Sequence, residues 1–238
     1  MKRKIKLLLI LSMLHQFGFC QKVNFEATKL IVTNQVDDNA LLMNFNKAVK
    51  FQYGKNIVLD KNSPEEIFYN FFNINSNEQL KVFFDNKIPV TYSKNDYLNL
   101  MNVYKEKPEK NFYELDFKIL FKDGNNQYSY IKYINHNELF PKPIASIIYL
   151  ELINDKWIIK DLGDNLELGI FLSSIKGNKL EQIILRKQSQ LDNKIIQPYI
   201  TNDKIDFNRL MNDFYDLKKK NINHPLVQLI YDNEFSIF

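Results

Sequence analysis

The spacing of apolar residues between positions 63 and 108 is that of helices packed through one face. Apolar side chains recur every three or four positions over this stretch, which is the period of an amphipathic helix. Ser63 and Pro64 open it with a capping hydroxyl and a preset helical φ, and Pro108 ends it. The sequence therefore predicts helices beginning at Ser63, Glu78 and Ser93.

The segment before Ser63 predicts one strand and one further helix. Val23, Phe25 and the run Leu30-Ile31-Val32 favour a strand within residues 22–36. The spacing of Leu42, Phe45 and Val49 predicts a helix over residues 40–53, capped by Asn39 and ended by Gly54.

After Pro108 the period changes from helical to two. The apolar positions of residues 113–121 alternate with charged ones, as in a half-buried strand. A turn at residues 123–126 leads into a second strand over 128–134, and a polar turn at 154–156 joins strands over 147–152 and 157–162. These hairpins predict an antiparallel sheet of at least four strands.

Helical spacing returns in the last third of the chain, over residues 166–175 and again from 202 to 220. Lys218, Lys219 and Lys220 lie at the negative end of the last helix dipole. The predicted fold class is α+β, with helices packed on an antiparallel sheet and a helical extension at the C-terminus.

The order of helices followed by hairpins resembles the nuclear transport factor two-like fold. The resemblance rests on Ser63-Pro64-Glu65-Glu66, on the Asp123-Gly124 hairpin, and on residues 154–161 with Trp157 just past a polar turn. It implies a cone-like sheet over residues 63–162, with 21–62 as an N-terminal segment and 163–238 as the extension. It also implies a ligand pocket in the cone or a homodimer formed through the sheet, and no particular reaction.

The first twenty residues predict an export signal. Residues 1–6 are mostly basic, residues 7–14 are almost wholly apolar, and Gly18 and Cys20 offer small residues for cleavage. The apolar stretch is too short to span a bilayer, so no transmembrane span is expected after leader removal. We expect residues 1–20 to be a signal peptide and the protein to be periplasmic or extracellular, with a bacterial-type lipid anchor on Cys20 as the less favoured alternative.

Removing that leader changes the charge balance of the chain. Four of the 32 basic residues lie in it and none of the 28 acidic ones does, which leaves 28 of each sign. A balanced chain argues against nucleic-acid binding, which needs a surplus of Lys and Arg on one face. Cys20 is the single cysteine, so the mature chain would have no disulfide and no thiolate nucleophile.

The candidate catalytic groups are few. Outside the leader the histidines are His136 and His224, too far apart in sequence to suggest a metal site, and neither metal nor cofactor is expected. In the resembling fold, enzymes use a His and Asp pair inside the cone, and here His136 and Asp116 are the candidates. The plainer interpretation places His136 in a polar turn and Asp116 in solvent.

Aromatic residues on the predicted sheet are the candidate ligand-binding groups, because a tyrosine ring combines apolar area with a hydroxyl. They are Tyr128, Tyr130, Tyr133, Tyr149 and Trp157. The leading hypothesis is a non-catalytic binding protein for a small apolar ligand, a peptide or another protein. The alternatives are a hydrolase or isomerase using His136 and Asp116, and a protein that docks a partner on its C-terminal helices.

Overall fold

The structure is a computed structural model that describes residues 21–22, 25–30, 40–55, 57–84, 95–123, 125–185, 189–201 and 204–237. The predicted leader with Cys20, and the turn residue Gly124, lie outside the described residues.

The described residues contain eight α-helices, which we label in chain order. They are α1 Pro64–Phe72, α2 Asn77–Phe83, α3 Asn95–Glu106, α4 Leu166–Ser174, α5 Gly177–Leu185, α6 Gln190–Ile196, α7 Phe207–Lys220 and α8 Pro225–Ile230. Short 3₁₀ turns lie at Gly163–Asn165 and Gln197–Tyr199. No helix in this part of the chain has the length and apolar character needed to cross a membrane.

The described residues also contain eleven strands, which stand in four groups separated by these helices. They are β1 Gln21–Lys22, β2 Phe25–Leu30, β3 Ala40–Phe51, β4 Ile57–Val58, β5 Phe112–Asp123, β6 Asn126–His136, β7 Ile144–Ile153, β8 Lys156–Lys160, β9 Ile200–Thr201, β10 Lys204–Ile205 and β11 Ser236–Ile237.

The main sheet has the order β2-β3-β5-β6-β7, and the far edge of β7 is shared by β8 and β11. All neighbours are antiparallel except β11, which runs parallel to β7. The sheet curls strongly into a half-barrel with helices packed on it, which confirms the predicted α+β class.

Local sequence explains the start of α1 and the tightest hairpin. The Ser63 hydroxyl accepts a hydrogen bond from the Glu66 amide at 3.1 Å, as a helix cap should. Between β7 and β8, Asn154 and Asp155 adopt φ values of 48° and 60°, which the type I′ turn of a two-residue hairpin requires. Both predictions are confirmed.

The helix predicted over residues 40–53 is wrong, because Ala40–Phe51 is strand β3. This strand pairs with β2 on one side and with β5 on the other. The backbone hydrogen bonds of β3 are thus made partly with β5, which lies far along the chain: Leu41, for example, lies opposite Leu120. A spacing rule that considers only the local segment cannot detect such partners.

The predicted alternation in β5 is interrupted by a β-bulge at Asp116. Leu115 pairs with Tyr133 and Phe117 pairs with the next residue of β6, Lys132, so Asp116 has no partner of its own. A bulge reverses which face the following side chains occupy. Leu115 and Phe117 therefore lie on opposite faces of the sheet, and the strand serves two cores rather than one.

One face, which we call the N-terminal face, packs on α1, α2 and α3. Its core is rich in aromatic rings from the helices and from β5, β6 and β8. Its largest buried members include Phe68, Phe71, Leu80, Ile131 and Leu150.

The other face, which we call the C-terminal face, is covered by α4 to α8. Its core includes Phe117, Phe171, Leu180, Phe214 and Ile230, each fully buried. The C-terminal helices are thus part of a core shared with the sheet. The helix predicted from residue 202 begins at Phe207, where the Asp206 carboxylate accepts from the Arg209 amide at 3.0 Å.

Candidate functional site

The C-terminal face carries a group of aromatic side chains near the hairpin ends of the sheet. Phe121 of β5 lies opposite Tyr128 of β6, and Tyr130 lies opposite Tyr149 of β7. Residues directly opposite or two apart on one face of a sheet are close enough for their rings to meet. We call these four residues the tyrosine array.

The rings of the tyrosine array are nearly parallel. Phe121 lies 5.1 Å from Tyr128 and 5.5 Å from Tyr130, measured between ring centroids, with interplanar angles of 22° and 9°. Tyr149 lies 5.8 Å from Tyr128 and 4.8 Å from Tyr130, at 17° and 19°. Each ring therefore contacts two others, and packing within the array holds all four in place.

The helical cover of this face ends within the array. Tyr130 is only 2% exposed and belongs to the core under the C-terminal helices, whereas Tyr128, two positions nearer the hairpin end, is half-buried. Helix α4 approaches the sheet closely through Gly169, where a Cβ atom would lie 3.2 Å from Ile147 and under 3 Å from Leu162. Beyond Ile147 the face becomes accessible, and Tyr149 is also half-buried.

Charged side chains border the accessible end of the array. Glu151 lies opposite Tyr128, and Lys160 of β8 lies opposite Tyr149. The Lys160 Nζ atom is 3.3 Å from Glu151 Oε2, and the Lys160 side chain is 39% exposed. The site therefore combines ring edges and hydroxyls with one ion pair at its rim.

The five aromatic residues predicted from sequence divide between the two faces. Tyr128, Tyr130 and Tyr149 lie together in the array, but Tyr133 and Trp157 pack in the core of the N-terminal face. Tyr133 contacts Phe68 at 4.9 Å between ring centroids, and Trp157 is 7% exposed. The sheet thus separates these two from the accessible rings.

The predicted catalytic residues have different neighbours. His136 Nε2 lies 3.3 Å from Glu114 Oε2, and its ring stacks on Phe112 at 4.3 Å. The proximity of His136 lowers the pKa of the Glu114 carboxyl below its ordinary value. Asp116, in contrast, contacts Lys132 at 2.9 Å. A catalytic role for His136 and Asp116 stays a prediction.

Lys132 is a fully buried cation that sequence reasoning missed. Its Nζ donates to the Ile175 carbonyl at 2.6 Å and lies 2.9 Å from Asp116 and 3.6 Å from Asp232. An ammonium has three protons to donate, and three acceptors surround this one. In the sequence Lys132 stands two positions from Tyr130 and two from Ile134, and because side chains two apart in a strand share a face, only this spacing could have indicated its burial.

A concave site, separate from the array, lies between α4 and α7. Its volume is about 380 Å³, and it is lined by Glu167, Ile170, Asn212, Tyr215, Asp216 and Lys219. We call it the helical cleft. Sequence reasoning missed this site too, because its two walls lie on separate helices whose packing is tertiary.

Within the described residues, no group of three or more His, Cys, Asp or Glu side chains is arranged to hold a metal ion. Neither site contains a loop of glycines of the kind that surrounds phosphates. The arrangement at the tyrosine array suits recognition through apolar area, hydroxyls and a charged rim.

No protein-family model matches the chain, and neither the curated proteins nor the solved structures contain a match to it. The resemblance to the nuclear transport factor two-like fold therefore remains a prediction from sequence.

Proposed function

We propose that this chain is an exported, non-catalytic binding protein that recognises a peptide segment of another protein through the tyrosine array. The observation that carries the proposal is the half-buried state of Tyr128 and Tyr149 where the helical cover ends. Export rests on the leader predicted from residues 1–20.

The chemistry of the array suits peptide recognition. Tyrosine contributes large contact area with little loss of rotamer freedom, and it is enriched among residues that dominate binding energy at protein interfaces. Tyr130 is held rigidly beneath the helices, and Tyr149 and Phe121 stack on it. The rings are therefore ordered before a ligand arrives, which reduces the entropy lost on binding.

The rim adds polar groups that an apolar patch would lack. Glu151 and Lys160 form an ion pair beside the rings, and either partner can turn to a charged side chain or to the backbone groups of a peptide. A small apolar ligand would use the rings but not this rim, which favours a peptide as the occupant.

The buried reactive groups support binding rather than catalysis. Lys132 has three acceptors around its ammonium group, and two of them, Asp116 and Asp232, are the nearby carboxylates. A nucleophile or general base needs a free lone pair at an accessible position. The Lys132 ammonium and the two carboxylates instead interact with one another.

The test is selection of peptides from a displayed library of random dodecapeptides against the purified protein, followed by titration of the selected peptides. Tyr128→Ala should weaken binding by about tenfold or more, because it removes a half-buried ring of the array at the end of the helical cover. Tyr53→Ala is the matched control, since Tyr53 is a 42% exposed tyrosine in a turn outside the array. We expect Tyr53→Ala to bind like the parent protein.

Three results would contradict the proposal. The first is that no peptide is selected, and the second is that selected peptides bind the Tyr128→Ala variant unchanged. The third is sedimentation of the parent protein as a dimer that Tyr128→Ala dissociates, because the occupant would then be a second copy of the chain.

The alternative function, hydrolysis or isomerisation, has one observation in its favour. His136 is half-buried beside the Glu114 carboxylate, and a histidine oriented by a carboxylate is a common general base. Turnover of a panel of chromogenic esters that is lost in His136→Ala would support catalysis. Under our proposal, the His136→Ala variant binds the selected peptides normally and the parent protein shows no such turnover.

A further inference from the structure

The helical cleft is separate from the tyrosine array and has its own chemistry. Four of its lining residues, Asn212, Tyr215, Asp216 and Lys219, lie on α7. Their spacing of three, four and seven places them on one face of that helix. The opposite wall is Glu167 and Ile170 of α4, three positions apart.

The two walls are fixed relative to each other. The Tyr215 hydroxyl donates to the Glu167 carbonyl oxygen at 2.8 Å. Beneath it Phe171 of α4 meets Phe214 of α7 edge to face, with ring centroids 5.5 Å apart. The cleft is therefore formed before any ligand binds, as small-molecule sites usually are.

The apolar part of the cleft lining is Ile170 and the ring of Tyr215. Ile170 and Tyr215 are half-buried, and the Ile170 carbonyl already accepts from Ser173 and Ser174 at 2.8 and 2.7 Å. The proton of the Tyr215 hydroxyl is committed to Glu167 O, so this hydroxyl can accept from a ligand but not donate to it. Burial raises the pKa of Tyr215, which keeps it neutral.

The upper walls carry charges of both signs. Glu167 and Asp216 are exposed carboxylates, Lys219 is an exposed ammonium, and Asn212 offers an amide that both donates and accepts. A phosphate ligand would be repelled by two carboxylates, and a divalent cation by the lysine. A ligand that bears a cation and an anion on a short apolar body matches all three charges.

We propose that the helical cleft binds a small zwitterion, an amino acid or a dipeptide. The ligand's ammonium group contacts Glu167 and Asp216, its carboxylate contacts Lys219, and its side chain lies on Ile170 and Tyr215. The cleft volume of about 380 Å³ is within the range of small-ligand sites.

The test is ligand-observed NMR and calorimetry of the purified protein with the common L-amino acids and a set of dipeptides at millimolar concentration. Each ligand that binds is compared with its N-acetyl and C-amide derivatives, which lose one charge each. We expect both derivatives to bind about tenfold more weakly, because each loses a charge-assisted contact.

Matched variants test the protein's side of the contact. Asp216→Asn and Lys219→Gln should each weaken binding of the zwitterion about three- to tenfold. N-acetylation of the ligand should then cost less affinity in Asp216→Asn than in the parent protein, and amidation should cost less in Lys219→Gln. Asp155→Asn and Lys220→Gln are the controls, because Asp155 and Lys220 are exposed and do not line the cleft. Both controls should bind like the parent protein.

The proposal is overturned if no amino acid or dipeptide binds, or if binding is insensitive to both cleft variants. It is also overturned if a neutral sugar from a parallel panel binds in the cleft and the zwitterions do not. The result is independent of the tyrosine array, since Tyr128→Ala should leave zwitterion binding unchanged.

Discussion

The two faces of the sheet each bury a lysine, and they hold it in different ways. On the N-terminal face Lys118 pairs with Glu65, whose side chain extends from the first turn of α1, and both side chains are at most 5% exposed. On the C-terminal face Lys132 joins three elements, because its acceptors belong to β5, to the end of α4 and to the chain after α8.

This difference matches the way the two faces are covered. The N-terminal face is packed by aromatic rings from α1 to α3, so one ion pair aligns one helix with one strand. The C-terminal face is closed by segments from the end of the chain. There Asp232 N donates to Ser174 O at 2.7 Å and Lys176 N to Ile230 O at 3.1 Å. Lys132 lies beneath these contacts and holds the chain after α8 against the sheet. The helices on this face do not reach Tyr128.

The largest expected effect follows from removing the three-way contact. Lys132→Met should lower the free energy of unfolding by about 4 kcal/mol, since it leaves the buried Asp232 carboxylate and the Ile175 carbonyl, and the partly exposed Asp116, without their cation. Urea denaturation measures this change, and Lys122→Met, at an exposed position near the end of β5, is the control. A loss equal to that of the control would show that Lys132 does not hold the chain after α8.

Breaking the pair on the N-terminal face should have a slightly smaller effect. Lys118→Met should cost about 3 kcal/mol because Glu65 stays buried without this cation. Adding Glu65→Leu should recover most of that loss, since a buried pair replaced by apolar groups is often neutral. A double variant no more stable than Lys118→Met would contradict this prediction, because removing an unpaired buried carboxylate should restore stability.

The bulge at Asp116 leads to a prediction of intermediate size. A Cβ atom on Gly177 would lie 2.5 Å from Asp116 Oδ1 and 2.9 Å from the Phe117 ring. Gly177→Ala should therefore destabilise the protein by about 1–2 kcal/mol through overpacking. Asn178→Ala, at the next and exposed position, is the control in the same denaturation experiment. Equal stabilities would show that the carboxylate moves freely away from α5.

The smallest effect concerns the far end of the C-terminal face, where His136 lies beside Glu114. His136 lowers the pKa of Glu114 from its ordinary value, so the stabilisation is present above that ordinary value and is lost as the pH falls through the lowered pKa. NMR titration of the Glu114 carboxyl carbon should show this pKa rising in His136→Ala. An unchanged midpoint would show that the two groups do not interact.

Structural features that depend only on adjacent residues were predictable from the sequence. The Ser63 cap, the Pro64 start and the two-residue turn at Asn154 and Asp155 depend on backbone preferences of a few adjacent residues. The period-two pattern likewise predicted the β5 and β6 hairpin.

Tertiary structure decided which core each side chain of β5 joins. The apolar residues of β5 alternate regularly in sequence, and one unpaired residue, Asp116, sends Leu115 and Phe117 to opposite cores. Tyr133 lies five positions from Tyr128 in a regular strand, so alternation alone places the two on opposite faces, and the fold decided only which of those faces is accessible. The sequence of strand β3 predicted a helix because its partner strand β5 lies far along the chain.

The sequence by itself determined the caps, the turns and the α+β order of elements, because those follow from torsional preferences and hydrogen bonds between near neighbours. Only the folded chain decided which rings are accessible and which lysines are enclosed. Both depend on where distant segments end when they pack, and that position is set by the whole core rather than by any local pattern.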